Sequence, residues 1–168
     1  MRAAINIKTV GIAGAGTMGQ GIAISCALAG YDTTLYDVNS VFCEKAITLI
    51  QGSLDHSVAK GKLTSAASDK AFHRISTANQ FADLKADLII EAVVENLEVK
   101  QKLFLDIERI NSGHSILATN TSSIPVSQIA AQLQNPSKCV GLHFFNPAHL
   151  MKLVEVISGS QTSVEIVA

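Results

Sequence analysis

The 168-residue sequence lacks a surplus of either charge: 13 Lys and Arg face 14 Asp and Glu, a net charge of −1. That balance offers no basic footprint for nucleic acid, and no block of like charge marks an interaction tail. Long apolar runs are also missing. Runs such as Leu88–Ile90 fall far short of the roughly 20 residues that span a bilayer, so no membrane partner is expected. Cys26, Cys43 and Cys139 are widely spaced and form no C-x-x-C pair. They read as reduced thiols packed as small hydrophobes, not as a disulfide framework. Met1 to Lys8 contain no apolar stretch of the signal-peptide kind, so a cytoplasmic location is expected. Internal repeats and low-complexity stretches are absent.

Charge is scarce altogether. Charged residues make up 16% and apolar ones 48%, which excludes disorder and supplies a sizeable core for one domain over residues 1–168. Short β-rich runs alternate with helical ones, the pattern of a mostly parallel sheet with crossover helices. Strands are expected at Val10–Ala13, Thr33–Tyr36, Ile75–Ala78, Asp87–Glu91, Ser115–Thr119, Cys139–Phe145 and Leu153–Ile157. A small-residue helix runs from about Thr17 to Ala29, closed by Gly30. Between the second and third strands, Phe42, Ala46, Ile50, Leu54 and Val58 recur every four residues, and Asn39 or Ser40 is placed to cap that helix. With a second short helix it forms an arm over about residues 40–73 that is expected to leave the sheet. A helix follows from about Leu97 to Ile110, and Pro125 sits in the first turn of another. The chain stops inside a further helix-like segment, Ser163–Ala168, so a second domain is expected beyond it.

Gly14-Ala15-Gly16-Thr17-Met18-Gly19 fits G-x-G-x-x-G, here following a strand and opening a helix. Gly14 permits the tight turn, Gly16 lets a pyrophosphate approach the backbone, and Gly19 allows close helix–strand packing. The helix start, with Thr17 and Met18, offers free N–H groups and a partial positive charge. Asp37 ends the second strand 23 residues after Gly14. A carboxylate there accepts hydrogen bonds from adenosine ribose hydroxyls and repels a 2′-phosphate, which selects NAD over NADP. The fold class is therefore α/β, a Rossmann-type doubly wound sheet with a helical arm after the second strand.

Further along stand Glu91-Ala92-Val93-Val94-Glu95-Asn96, then Asn120-Thr121-Ser122-Ser123. His143-Phe144-Phe145-Asn146-Pro147 and Met151-Lys152-Leu153-Val154-Glu155 complete the set. In this order, over nearly the whole chain, these strings resemble the L-3-hydroxyacyl-CoA dehydrogenase family. The resemblance implies NAD-dependent oxidation of an L-3-hydroxyacyl-CoA to the 3-ketoacyl-CoA, and the reverse, in fatty-acid β-oxidation or related acyl-CoA metabolism. His143 would take the hydroxyl proton, as suits an imidazole near neutral pH, and Glu155 would orient and stabilise it. Ser122 would hold the substrate oxygen near the nicotinamide. Asn120 and Asn146 match positions near the cofactor, and Glu95 and Lys100 match positions lining the nicotinamide ribose. Ser53 and Lys60, on the arm, match positions that touch coenzyme A. The family adds a C-terminal helical domain, absent from this sequence, that builds a homodimer and closes the site; without it the domain is expected to bind NAD but turn over poorly.

Plainer roles stand beside these. Ser122 fits a helix cap before Ile124, Lys100 fits a solvated helix face beside Glu98 and Lys102, and Lys60 and Lys62 fit solvated surface. Glu155 needs a partner if buried. His56, His73 and His114 read as solvated or structural, and no function is expected of His149. Phe144 and Phe145 read as packing residues. The histidine spacing fits no metal motif. Alternatives for the chain as a whole are a non-catalytic, crystallin-like family member, an NAD-dependent dehydrogenase of another hydroxy acid, and one segment of a multifunctional β-oxidation protein.

Overall fold

A computed structural model describes residues 5–168. The strands are β1 (Thr9–Ala13), β2 (Asp32–Tyr36), β3 (Ile75–Thr77), β4 (Leu88–Glu91), β5 (Ile116–Thr119), β6 (Cys139–Phe144) and β7 (Val154–Ser158). They form one sheet in the order β3-β2-β1-β4-β5-β6-β7. Every neighbouring pair is parallel except β6 and β7, which run antiparallel. The order reverses between β1 and β4, which makes that pair the switch point where such sheets open a crevice at the carboxyl ends of their strands.

Strand residues alternate between two cores, because successive side chains point to opposite faces. Val10, Ile12, Leu35, Ile90, Ala118 and Val140 pack beneath α1 (Thr17–Leu28), α2 (Ser40–Ala59) and α3 (Ser65–Phe72). Ala13, Ile89, Leu117 and Cys139 pack on the other side with Phe104 and Ile107 of α4 (Leu97–Ile110) and Val126 and Ile129 of α5 (Val126–Ile129). All three cysteines are free and buried, and burial pushes the Cys26 and Cys139 thiols up to about 12. Among the described residues, no helix is long and apolar enough to cross a membrane.

Local signals account for the helix ends. Asn39 caps α2 by accepting from the Val41 N–H at 3.1 Å. Gly30 (φ +101°) and Gly61 (φ +66°) take left-handed conformations just past the ends of α1 and α2. Two expectations shift. Phe42 is exposed and Cys43 is buried in its place, with Ala46, Ile50 and Leu54. A strict four-residue row drifts by about 40° per step on a helix of 3.6 residues per turn, so its ends rotate off the core face. The buried row packs the two helices of the arm against α1 and against each other, and α2 meets the sheet along β2. Pro125 precedes α5 as its N-cap residue and does not enter the first turn. The last helix, α6, covers Val164–Val167.

Candidate functional site

The glycine turn is built by close backbone approach. Gly14 adopts φ +112°, and a Cβ there would lie 2.5 Å from the Ala92 carbonyl oxygen. A Cβ on Gly19 would lie 1.8 Å from the Gly14 carbonyl oxygen, so the first turn of α1 sits directly on the end of β1. Gly16 differs: a Cβ there meets nothing within 4 Å, and the residue is exposed at the mouth of α1. No side chain caps α1, so its first N–H groups are free for an anion. Thr17 is exposed there, whereas the Met18 side chain packs against the core and leaves only its backbone at the helix start.

Asp37 closes the other side of this cradle. Its Oδ2 accepts from the Ala15 N–H at 2.9 Å and its Oδ1 from the Asn39 N–H at 3.1 Å. A carboxylate has about four acceptor positions, so capacity remains for ribose hydroxyls. A cleft of about 610 Å³ opens here, lined by Gly14, Gly16 and Asp37 and walled by the apolar Val38, Phe42 and Val94. These three are 90%, 50% and 67% exposed, an apolar surface beside the glycine turn and its acid that suits a flat aromatic group. Of these, Val38 and Phe42 follow the acid closely in the chain and were the readable signal; Val94 arrives from the loop after β4.

At the far end of the same sheet edge, the antiparallel register pairs His143 with Glu155. His143 Nδ1 and Glu155 Oε2 are 2.8 Å apart. The imidazole also meets the Phe145 ring edge-on, with centroids 4.7 Å apart, so Phe145 packs against the candidate base itself. Gly141 pairs with Thr119 at the end of β5, and His143 therefore stands beyond that strand, beside the loop that begins at Asn120. Asn120 Oδ1 accepts from the Phe144 N–H at 2.8 Å and ties the two segments together. Ser122 is exposed in that loop. It caps no helix: α5 has no side-chain cap, and within the loop Thr121 Oγ1 accepts from the Ile124 N–H at 3.0 Å. Asn146 is exposed just after β6 and is joined to Pro147 by a cis bond.

Glu95 and Lys100 part company. Glu95 is exposed at the loop edge and accepts from the Thr121 hydroxyl, the Ser123 hydroxyl (3.0 Å) and the Lys100 ammonium (3.2 Å). Burial alone would push its pKa up, but those hydroxyl bonds and the neighbouring ammonium outweigh burial and hold the carboxyl at about 2. Lys100 neither lies on a solvated face nor lines the cleft. Its side chain is 1% exposed, and Nζ lies 2.6 Å from Oε1 of the fully buried Glu91. Direct contact with a cofactor is closed to it; it stands behind Glu95.

Ser53 and Lys60 share a groove of about 490 Å³ with His56, Lys62, His149 and Leu150. The Ser53 hydroxyl donates back to the Leu49 carbonyl at 2.9 Å. His56 and His149, set aside in the sequence, thus join the candidate substrate residues, and burial lowers the His149 value. Tertiary docking brings His149 there. Ala148 is buried against Gly21 of α1, and the Ser25 hydroxyl donates to its carbonyl at 3.1 Å. Among the described residues no group of His, Cys, Asp and Glu is arranged to hold a metal ion.

Residues 9–168 match the family model "3-hydroxyacyl-CoA dehydrogenase, NAD binding domain". The chain is 44% identical over 164 residues to the 3-hydroxyadipyl-CoA dehydrogenase of Escherichia coli, covering 97% of this chain and 34% of the relative. It is 41% identical over 162 residues to a probable 3-hydroxybutyryl-CoA dehydrogenase of Bacillus subtilis, covering 96% and 56%. The crystal structure of (S)-3-hydroxybutyryl-CoA dehydrogenase from Ralstonia eutropha superposes with a TM-score of 0.92 at 41% identity, over 96% of this chain and 57% of that one. The chain thus spans between about a third and somewhat over half the length of these relatives. By the match over residues 9–168, the chain belongs to the 3-hydroxyacyl-CoA dehydrogenase family, as a Rossmann-type NAD-binding domain.

Proposed function

We propose that the protein carrying this chain interconverts L-3-hydroxyacyl-CoA and 3-ketoacyl-CoA with NAD. The observation that carries the reading is the His143–Glu155 contact of 2.8 Å at the sheet edge that also bears the glycine cradle. Bound at that cradle, NAD supplies a hydride acceptor; the cradle fits it through the open face of Gly16, the uncapped helix start and the Asp37 carboxylate.

With its Nδ1 given to Glu155, the imidazole carries its proton there and keeps Nε2 free as a base. His143 Nε2 takes the proton of the substrate hydroxyl as hydride leaves the carbon. Glu155 faces the imidazolium that results and stabilises its charge. The exposed Ser122 hydroxyl donates to the same substrate oxygen, and Asn146 sits near the cofactor. Glu95 lies at the nicotinamide ribose end, while Lys100 acts only through it. The groove containing Ser53 and Lys60 takes coenzyme A, with the Lys60 ammonium toward its phosphates.

The same reading carries a cytoplasmic setting, in keeping with the bacterial relatives, and a homodimer built by a C-terminal helical domain beyond residue 168. NADH oxidation by the full-length protein, measured across C4 to C16 3-ketoacyl-CoA substrates and the matching free keto acids, tests it. Turnover confined to the thioesters supports the reading; turnover of free acids alone contradicts it.

A further inference from the structure

Beneath the candidate site lies a buried ammonium that the proposed chemistry does not use. Lys100 is 1% exposed and Glu91 is fully buried. Burying such a pair costs several kcal/mol per ion, and a well-packed apolar residue often serves stability as well. Stability is therefore a weak account of this charge, and its further contacts suggest another.

Glu91 commits both carboxylate oxygens to the end of β5, the loop after β4 and the first turn of α4. Oε1 accepts from Lys100 Nζ and from the Val93 N–H at 2.7 Å, and Oε2 accepts from the Thr119 hydroxyl at 2.8 Å. Lys100 reaches outward to Glu95 at 3.2 Å. Glu95 in turn accepts from the hydroxyls of Thr121 and Ser123, the residues on either side of Ser122. The Thr121 hydroxyl also accepts from the backbone N–H groups of Ser123 (3.3 Å) and Ile124 (3.0 Å). A continuous path of ion pairs and hydrogen bonds thus runs from the core to both shoulders of one exposed serine. Ser122 itself stands outside the network.

We propose that Glu91 and Lys100 are positioning residues which, through Glu95 and its bonds to Thr121 and Ser123, fix the loop that presents the Ser122 hydroxyl to the substrate oxygen. This rests on the role given above to Ser122. The ionised state of Glu95 supports it, because a carboxyl held at about 2 remains an acceptor for both hydroxyls at any working pH. Geometric control of this kind is costly to lose: a misplacement of about 1 Å can lower turnover about a hundredfold.

The test is a double-mutant series on the full-length protein, reading kcat for acetoacetyl-CoA reduction and, separately, the NADH Kd by fluorescence. Thr121→Val and Ser123→Ala, combined, are expected to lower kcat about tenfold while the NADH Kd stays within about twofold. In the Ser122→Ala background the same pair is expected to lower kcat by less than about twofold more, since its effect passes through the missing hydroxyl. Glu91→Gln, which keeps the shape but removes the charge, is expected to follow the same pattern; should it fail to fold, Glu91→Asp, which keeps the charge but shortens its reach to Lys100, takes its place with the same expected outcome. Equal losses with and without Ser122, or a Kd that rises in step with the loss in kcat, would overturn the proposal. If Ser122→Ala alone leaves turnover unchanged, the role of Ser122 falls first and this inference falls with it.

Discussion

Glu155 stands opposite His143 in the β6–β7 ladder, and the 2.8 Å contact between them follows from that register. In an antiparallel pair, directly opposed side chains share one face and lie close enough to interact. A register slip of one residue would send Glu155 to the other face and part the pair. The antiparallel return of β7 onto the edge of an otherwise parallel sheet is what gives the imidazole its carboxylate.

Asp37→Ala should weaken NADH binding about tenfold to a hundredfold, the weight of roughly 1.5–3 kcal/mol for charge-assisted hydrogen bonds. Fluorescence titration measures it. Unmutated protein that binds NADPH as tightly as NADH would contradict the role of this acid.

The glycines should separate folding from binding. Gly19→Ala puts a Cβ against the Gly14 carbonyl, where the present geometry leaves 1.8 Å, so it should lower the thermal midpoint markedly. Gly16→Ala meets nothing within 4 Å and should melt like the parent. Its methyl fills the space where the pyrophosphate approaches, so NADH affinity should fall about tenfold or more. Normal NADH binding by Gly16→Ala would place the dinucleotide elsewhere.

These residues show what was legible. The tight turn at Gly14 and the close packing at Gly19 were legible in the local spacing after a strand, whereas the pairing of His143 with Glu155 came from the family resemblance and not from spacing. Lys100 hid among neighbours. Beside Glu98 and Lys102 it resembles a solvated face, yet it shares the helical row of Phe104 and Ile107, which are buried with it. The row marked the position as internal; its partner Glu91, on a strand nine residues earlier, was beyond the reach of helical periodicity. That His56 and His149 share the groove of Ser53 and Lys60 was not readable, because His149 reaches it only once the turn at Ala148 docks against Gly21.

Glu95 should make stability depend on acid. Its carboxyl is depressed from the ordinary 4.5 to about 2 in the folded chain. Its contribution is therefore complete above the unfolded value and is lost as pH falls through the folded one. Urea midpoints of the parent and Glu95→Gln should differ most above about pH 5 and converge toward about pH 2. A gap that stays constant across that window would contradict the network drawn around Glu95.

The most direct measurement is kcat for NADH-dependent reduction of acetoacetyl-CoA by the full-length protein and its His143→Ala variant. The variant should lose about 10²–10⁴-fold, as befits a general acid–base group, with NADH affinity unchanged and Glu155→Gln falling between the two. Parental turnover in His143→Ala would contradict the dehydrogenase chemistry assigned to this site.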